Sequence, residues 1–203
     1  MVIKVELVDC TNDAEIKIAT YAAICYDAKT DPLSLARRVK HLIGVGHLST
    51  LRFAYATFRV SGISRVCSHQ LVRHKHLDYL QESQRYVDQD GVSFTNSEDD
   101  QLIRQHNEYC LDLYNSLREA GMKKEDARFV LPQSVETQMM VTGNLQAWKD
   151  FLNLRLDKKA QKEIRTIAAF VALALGDIAP SIFETEKELA LEILLNGNTS
   201  GIV

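Results

Sequence analysis

The segment Ala160 to Ile178 is strongly apolar and reads as one helix, because Ile164, Ile167, Val171 and Leu175 recur at helical spacing. A helix that is apolar on nearly every side cannot lie on a surface. It must be central to the fold or covered by another subunit. Too few apolar residues run together anywhere in the chain to span a bilayer. Pro180 is placed to end the segment, and Glu184 to Leu195 predict one last helix. From Asn196 onward, NGNTSGIV reads as a loose tail.

Upstream, short alternating runs punctuate further helices. Residues 2–8 alternate like a strand, and the start lacks the long apolar stretch of a signal peptide. Thr11 or Asn12 is placed to cap a helix reaching about Tyr26. Asp31-Pro32 is a clear helix start, with Leu33, Ala36, Val39 and Ile43 on one face and Gly44 at the end. Phe53 to Val60 alternates, then Ser61-Gly62 leads into a helix from Ile63 to His74. Asp88 to Asp100 reads as a loop. Ser97 opens a long amphipathic helix through Leu102, Tyr109, Leu113 and Leu117, stopped by Gly121. Lys123 to Arg128 reads as a short helix. Val135 to Val141 alternates again and passes through Thr142-Gly143-Asn144 into a helix carrying Trp148, Phe151, Leu152 and Arg155. The sequence thus twice uses strand, small turn, helix: VSGISR and VTGNLQ. Few strands and long helices predict an α+β protein with a small antiparallel-containing sheet, one domain over residues 1–203.

The polar chemistry concentrates in Gln70-Leu71-Val72-Arg73-His74-Lys75-His76 and Gln81-Glu82-Ser83-Gln84-Arg85. Arginine forks two charge-assisted hydrogen bonds onto one phosphate, so this basic cluster fits an anionic ligand. A solvated basic helix end is the plain alternative. A second group is Asn144, Gln146, Asp150, Asn153 and Arg155. Asn144 is placed to cap its helix, and Arg155 needs an anionic or carbonyl partner, either a ligand or simply Asp150 or Asp157. A third is the turn Gly46-His47-Leu48-Ser49-Thr50. The formal net charge of −3 argues against a nucleic-acid binder. There is no phosphate-loop or dinucleotide fingerprint. His69, His74 and His76 lack the spacing of a helical metal pair, so no metal is expected. The cysteines Cys10, Cys25, Cys67 and Cys110 are scattered, which predicts a reduced, cytoplasmic protein, with Cys67 in the core.

Four motifs in order resemble the flavin-dependent thymidylate synthases (the ThyX family). Arg73-His74-Lys75, then seven residues, then Ser83, is similar to that family's Arg-His-Arg motif and following serine. Gly46-His47-x-Ser49, Ala127-Arg128-Phe129-Val130-Leu131-Pro132, and Gly143-Asn144 with Phe151-Leu152-Asn153-Leu154-Arg155 complete the match. The resemblance implies the family's fold, with long helices at the core of a homotetramer whose active sites are shared. It implies reductive methylation of dUMP to dTMP, with FAD as cofactor, NADPH as reductant and methylenetetrahydrofolate as carbon donor. It assigns His47, Ser49, Arg73, His74, Lys75, Asn144, Gln146 and Asp150 to FAD. It assigns Gln70, Leu71, Val72, Arg73, Gln81, Glu82, Ser83, Gln84, Arg85, Arg128 and Arg155 to dUMP, with Arg155 activating the uracil ring. Lys75 stands for an arginine, Arg52-Phe53 for Glu-His, Gln146 for a common arginine, and Asp150 for Asn or His. An NAD(P)H oxidase of the same fold and a nucleotide- or RNA-binding module are the rival readings.

Overall fold

The computed structural model describes residues 3–27, 30–95 and 100–196. Four strands, β1 (Lys4–Cys10), β2 (Tyr55–Ser64), β3 (Leu77–Gln81) and β4 (Glu136–Asn144), form an antiparallel sheet in the order β1-β2-β4-β3. Eight helices accompany it among the described residues: α1 (Ala14–Ala23), α2 (Pro32–Gly44), α3 (Arg65–Leu71), α4 (Gln101–Glu119), α5 (Lys124–Ala127), α6 (Leu145–Arg155), α7 (Lys162–Ile178) and α8 (Pro180–Asn196). The fold is α+β, as the sequence predicts.

Alternation decides which face of the sheet is covered. Ala56, Phe58 and Val60 of β2 and Thr137, Met139 and Val141 of β4 point inward and are buried. Trp148, Phe151 and Leu152 of α6 pack there too, as do Ile164, Ile167, Ala168, Val171 and Leu175 of α7. The apolarity of α7 is therefore satisfied inside the chain, against the sheet, α6 and especially α8. Gly176 lets α8 approach closely: a Cβ there would meet the Lys187 side chain at 2.6 Å.

The two strand-to-helix passages share one device. Ser64 ends β2 and accepts the Cys67 N–H, starting α3. Asn144 ends β4 and accepts the Ala147 N–H, starting α6. The repeated sequence pattern is out of step by one residue because β2 carries a bulge between Val60 and Ile63, with Gly62 at φ 70. Hence β2 runs on to Ser64, past the expected turn at Ser61-Gly62, and α3 spans Arg65–Leu71 rather than 63–74.

Other boundaries move for local reasons. Asp13, in the left-handed region at φ 51, precedes α1, while the Thr11 hydroxyl accepts the Tyr55 N–H instead of capping. Asp31 caps α2 through the Ser34 N–H, with Pro32 first in the helix. Asp100 caps α4 through the Leu102 and Ile103 N–H groups; the expected opener, Ser97, lies outside the described residues. Pro180 starts α8 rather than only ending α7, and the Glu15 carboxylate accepts the Ser181 N–H and hydroxyl. Of the expected tail, Asn196 closes α8 and residues 197–203 lie outside the described residues. Strand β3 falls inside the polar run, where no strand is expected.

Helix α6 is tied to α8 by a buried ion pair. Lys149 Nζ lies 2.6 Å from Glu186 Oε1, donates to the Ile182 carbonyl at 2.9 Å and sits 5.4 Å from the Phe183 ring centroid. The two side chains are 13% and 10% exposed, so neither charge has water in reserve. Removing one partner of such a pair strands the other. Lys149→Met is expected to cost about 3 kcal/mol in urea unfolding, and adding Glu186→Leu should recover most of it.

Candidate functional site

The polar residues gather in three groups, each set by one element junction. The first lies where the C-terminal end of α3 meets the C-terminal end of α6. Arg155 Nε donates to His74 Nε2 at 2.9 Å, and Arg155 Nη2 donates to the Gln70 carbonyl at 3.2 Å. Neither carboxylate near it in sequence is its partner. Asp150 Oδ1 accepts from Gln146, and Asp157 Oδ1 accepts the Lys159 N–H. The His74 ring packs edge-on against Phe151, with centroids 4.9 Å apart. The Gln70 side chain donates to Gln161 Oε1. Leu71 turns its side chain into the core and offers only its backbone outward. Val72, Arg73, Lys75 and His76 are exposed on the turn that follows.

That turn is held from β3. The Tyr79 hydroxyl reaches the Leu71 carbonyl at 2.7 Å and the His74 carbonyl at 3.1 Å. One proton serves two carbonyls, closing the end of α3 where its last C=O groups need partners. Leu77, Tyr79 and Gln81 face inward, while Asp78 and Leu80 face outward. This period-two alternation is legible in the sequence but is masked by the basic residues beside it. Gly143 of β4 lies opposite Leu77. A Cβ on Gly143 would stand 2.4 Å from Leu77 Cδ2 and 3.2 Å from the His76 carbonyl, so only glycine lets β3 and its turn come this close.

The second group surrounds α5 and the start of α3. Arg85 Nε donates to Glu125 Oε2 at 3.0 Å, and Arg128 Nε donates to the Glu125 carbonyl at 3.1 Å. The Ser83 hydroxyl oxygen accepts the Arg85 N–H at 3.2 Å. Arg65, half-buried, donates to the Glu82 carbonyl at 2.9 Å, and its Nε is buried without a partner. Glu82 Oε2 accepts from Gln138, whose own carbonyl accepts from Arg59. Of these residues, Glu82 and Gln138 line a cleft of about 300 Å³ together with Ser61 and Glu136. Burial, reinforced by Glu82, pushes the Glu136 carboxyl up. Between the first two groups, Gln81 donates to the Ser68 and Thr137 hydroxyls. Gln84 is buried and donates to Gln89, so its side chain is turned inward.

The third group is the N-terminal end of α6 and the 3-10 segment Leu48–Phe53 that packs on it. Asn144 spends its side-chain oxygen on the cap. Gln146 donates to Asp150 at 2.8 Å, leaving Gln146 Oε1 buried without a partner. The His47 carbonyl accepts from Thr50, and His47 and Ser49 are both exposed. Sequence reasoning missed Tyr79, Arg65 and Gln161, because each acts through a contact that spacing does not report.

Burial, and then the Arg155 charge, hold His74 down at about 4. An unfolded imidazole titrates near 6.5. Between these values the unfolded chain binds a proton that the folded chain does not, so stability rises with pH across that window. The contribution is complete above about 6.5 and is lost as pH falls toward 4. Thermal unfolding at several pH values should show this slope, and His74→Gln should flatten it.

Comparison with known proteins adds to this geometry. Residues 6–181 match the family model described as Thymidylate synthase complementing protein. The chain is similar to the flavin-dependent thymidylate synthase of Geobacter sulfurreducens, 36% identical over 89% of this chain and 85% of that one. It is also similar to that of Mycobacteroides abscessus, 36% identical over 78% and 74% of the two chains. In fold it is similar to Thymidylate Synthase X from Helicobacter pylori, solved with FAD and dUMP. That match has a TM-score of 0.78 at 22% identity and covers 91% of this chain and 99% of that one.

Proposed function

Because the chain belongs to the flavin-dependent thymidylate synthase family, we propose that its three polar groups serve one reaction, the reductive methylation of dUMP to dTMP. FAD is the cofactor, methylenetetrahydrofolate the carbon donor and NADPH the reductant. The observation that carries this reading is the state of Arg155, a half-buried guanidinium held on one edge by His74 and the Gln70 carbonyl, with its remaining N–H groups uncommitted among the described residues.

Such a group suits the ring chemistry. Methylation at uracil C5 needs electron density there, and loss of the N3 proton supplies it. A guanidinium stays charged at any working pH and stabilises the resulting anion. Held in place beforehand, it reorients little as that charge develops. The substrate phosphate falls to Ser83, Arg85 and Arg128. Arg85 is free to turn to it, since its present ion pair with Glu125 is 55% and 39% exposed and worth little.

The residues expected at the flavin fit an anionic, hydrogen-bonding group. Arg73 and Lys75 are exposed cations that suit phosphate, and the orphaned Gln146 Oε1 is an acceptor that suits a hydroxyl or ring N–H. When bound, the flavin supplies the redox step, while the protein binds and orients. Arg65 stands at the start of α3, within reach of the Arg128 charge, whereas Arg155 lies at the helix end. The separation of the three groups supports the reading that one copy completes another's site in a homotetramer, residues 1–203 acting as one domain. Four unpaired cysteines suit a reducing compartment such as the cytoplasm. No helix among the described residues is long and apolar enough to cross a membrane.

The test is direct. Purified protein with FAD, NADPH, methylenetetrahydrofolate and dUMP should form dTMP. NADPH oxidation with no dTMP would overturn the reading in favour of an oxidase. Arg155→Ala is expected to lower dTMP formation about a hundredfold, or ~3 kcal/mol, while FAD stays bound. Ser83→Ala should weaken dUMP binding by ~1 kcal/mol yet leave turnover measurable. Mass spectrometry during turnover should find no covalent adduct on Ser83.

A further inference from the structure

We propose that His74 is a positioning residue: by accepting the Arg155 Nε–H, its imidazole fixes the guanidinium that the substrate ring meets. The proposal rests on the reading of Arg155 as the ring-activating group and adds the group that orients it.

The direction of this hydrogen bond is set by chemistry. Arginine only donates, so at 2.9 Å His74 Nε2 must be the bare nitrogen and Nδ1 carries the ring's proton. An imidazolium has no acceptor and would meet Arg155 as a like charge. The bond therefore exists only while His74 is neutral.

The surroundings hold the ring in that state and in that place. Phe151 is fully buried and packs edge-on against it. Phe151 lies one helical turn before Arg155, so α6 supplies both the wall behind the ring and the group the ring holds. The Tyr79 hydroxyl holds the His74 carbonyl from β3, fixing the backbone as well. Arg155 Nη2 rests on the Gln70 carbonyl, so α3 holds the same guanidinium through a second acceptor.

The charges nearby oppose a second proton. From α6 comes Arg155 itself. From β3 comes the Tyr79 phenol, which burial and then Asp78 push up to about 12, so it stays neutral. From α3 comes Cys67, which also senses Arg155 and is kept as a thiol by burial. On the His74 turn, Arg73 and Lys75 are cations. No carboxylate among the described residues hydrogen-bonds the ring. Burial and Arg155 keep it neutral down to about pH 4.

Two substitutions separate acceptor from volume. In His74→Gln the amide oxygen reaches roughly where Nε2 lies and cannot be protonated at ordinary pH. His74→Leu fills space and accepts nothing. The first readout is the Arg155 Nε–H resonance in ligand-free protein, followed by 15N NMR. A protected signal is expected at pH 7 in the unmutated chain and in His74→Gln, and its loss in His74→Leu. In the unmutated chain its hydrogen-bonded chemical shift should also give way to that of a free guanidinium as the pH falls through about 4, and should hold there in His74→Gln.

The second readout is kcat for dTMP formation at saturating FAD and dUMP. His74→Leu should lose about a hundredfold, as expected for misplacing a preorganised charge, and His74→Gln should recover most of it. A protected signal in His74→Leu would show that something else holds Arg155 and would overturn the proposal. So would loss of the signal with kcat unchanged. If the unmutated enzyme formed no dTMP at all, the methylation reading would fall, while the NMR arm would still decide whether His74 holds Arg155.

Discussion

Trp148 lies against the inner face of the sheet with its indole N–H on the Ala56 carbonyl, 2.9 Å away, and its ring edge-on to Phe58 and Phe151. A buried indole without a partner for that N–H is costly, so the contact fixes both the depth and the rotation of α6. The rest of the site takes its place from that helix. At one end Asn144 and Gln146 stand beside the 3-10 segment, and at the other Arg155 reaches His74. Lys149, half-way along, carries the constraint outward to α8. A slide of α6 along the sheet would disturb the polar groups at both of its ends together.

Much of this was legible in the residues. Asp31-Pro32 and the cap at Asn144 read correctly because each signal is local: a side chain reaching two or three residues ahead. The long apolar helix read correctly because an all-round apolar surface admits few placements. Strand β3 was hidden because its alternation, Leu77-Asp78-Tyr79-Leu80-Gln81, adjoins a run of cations that draws attention to ligand chemistry. The first helix carries no side-chain cap because Thr11 is drawn to the Tyr55 N–H, a partner distant in sequence. What cannot be seen from spacing is which polar group answers which. Arg155 had Asp150 and Asp157 close by, yet the folded chain gives it a neutral ring and a carbonyl.

That choice of partner bears on how the site works. A carboxylate would neutralise the guanidinium and compete with substrate for it. A neutral imidazole and a peptide carbonyl hold it without cancelling its charge, so the charge remains available to the ligand. Arg85, proposed above for the substrate phosphate, follows the opposite rule. It rests on Glu125 at the surface, a weak pair that an anion could displace at little cost. The interior cation is held by dipoles and the exterior one by a charge, as the different solvent access of the two positions requires.

The bulge in β2 has a consequence for what insertions and deletions this chain tolerates. Because α3 follows directly from the strand, every residue between Val60 and Ser64 also sets the phase of the helix. Removing the extra residue at Gly62 would swap the faces of the last strand positions. It would also turn α3 by about 100° about its axis, the rotation of one helical residue. Gln70 would leave Arg155 and Arg65 would leave Glu82 in the same movement. The length of this short segment is thus fixed as firmly as any side chain in the site, and in this family variation in chain length should collect elsewhere.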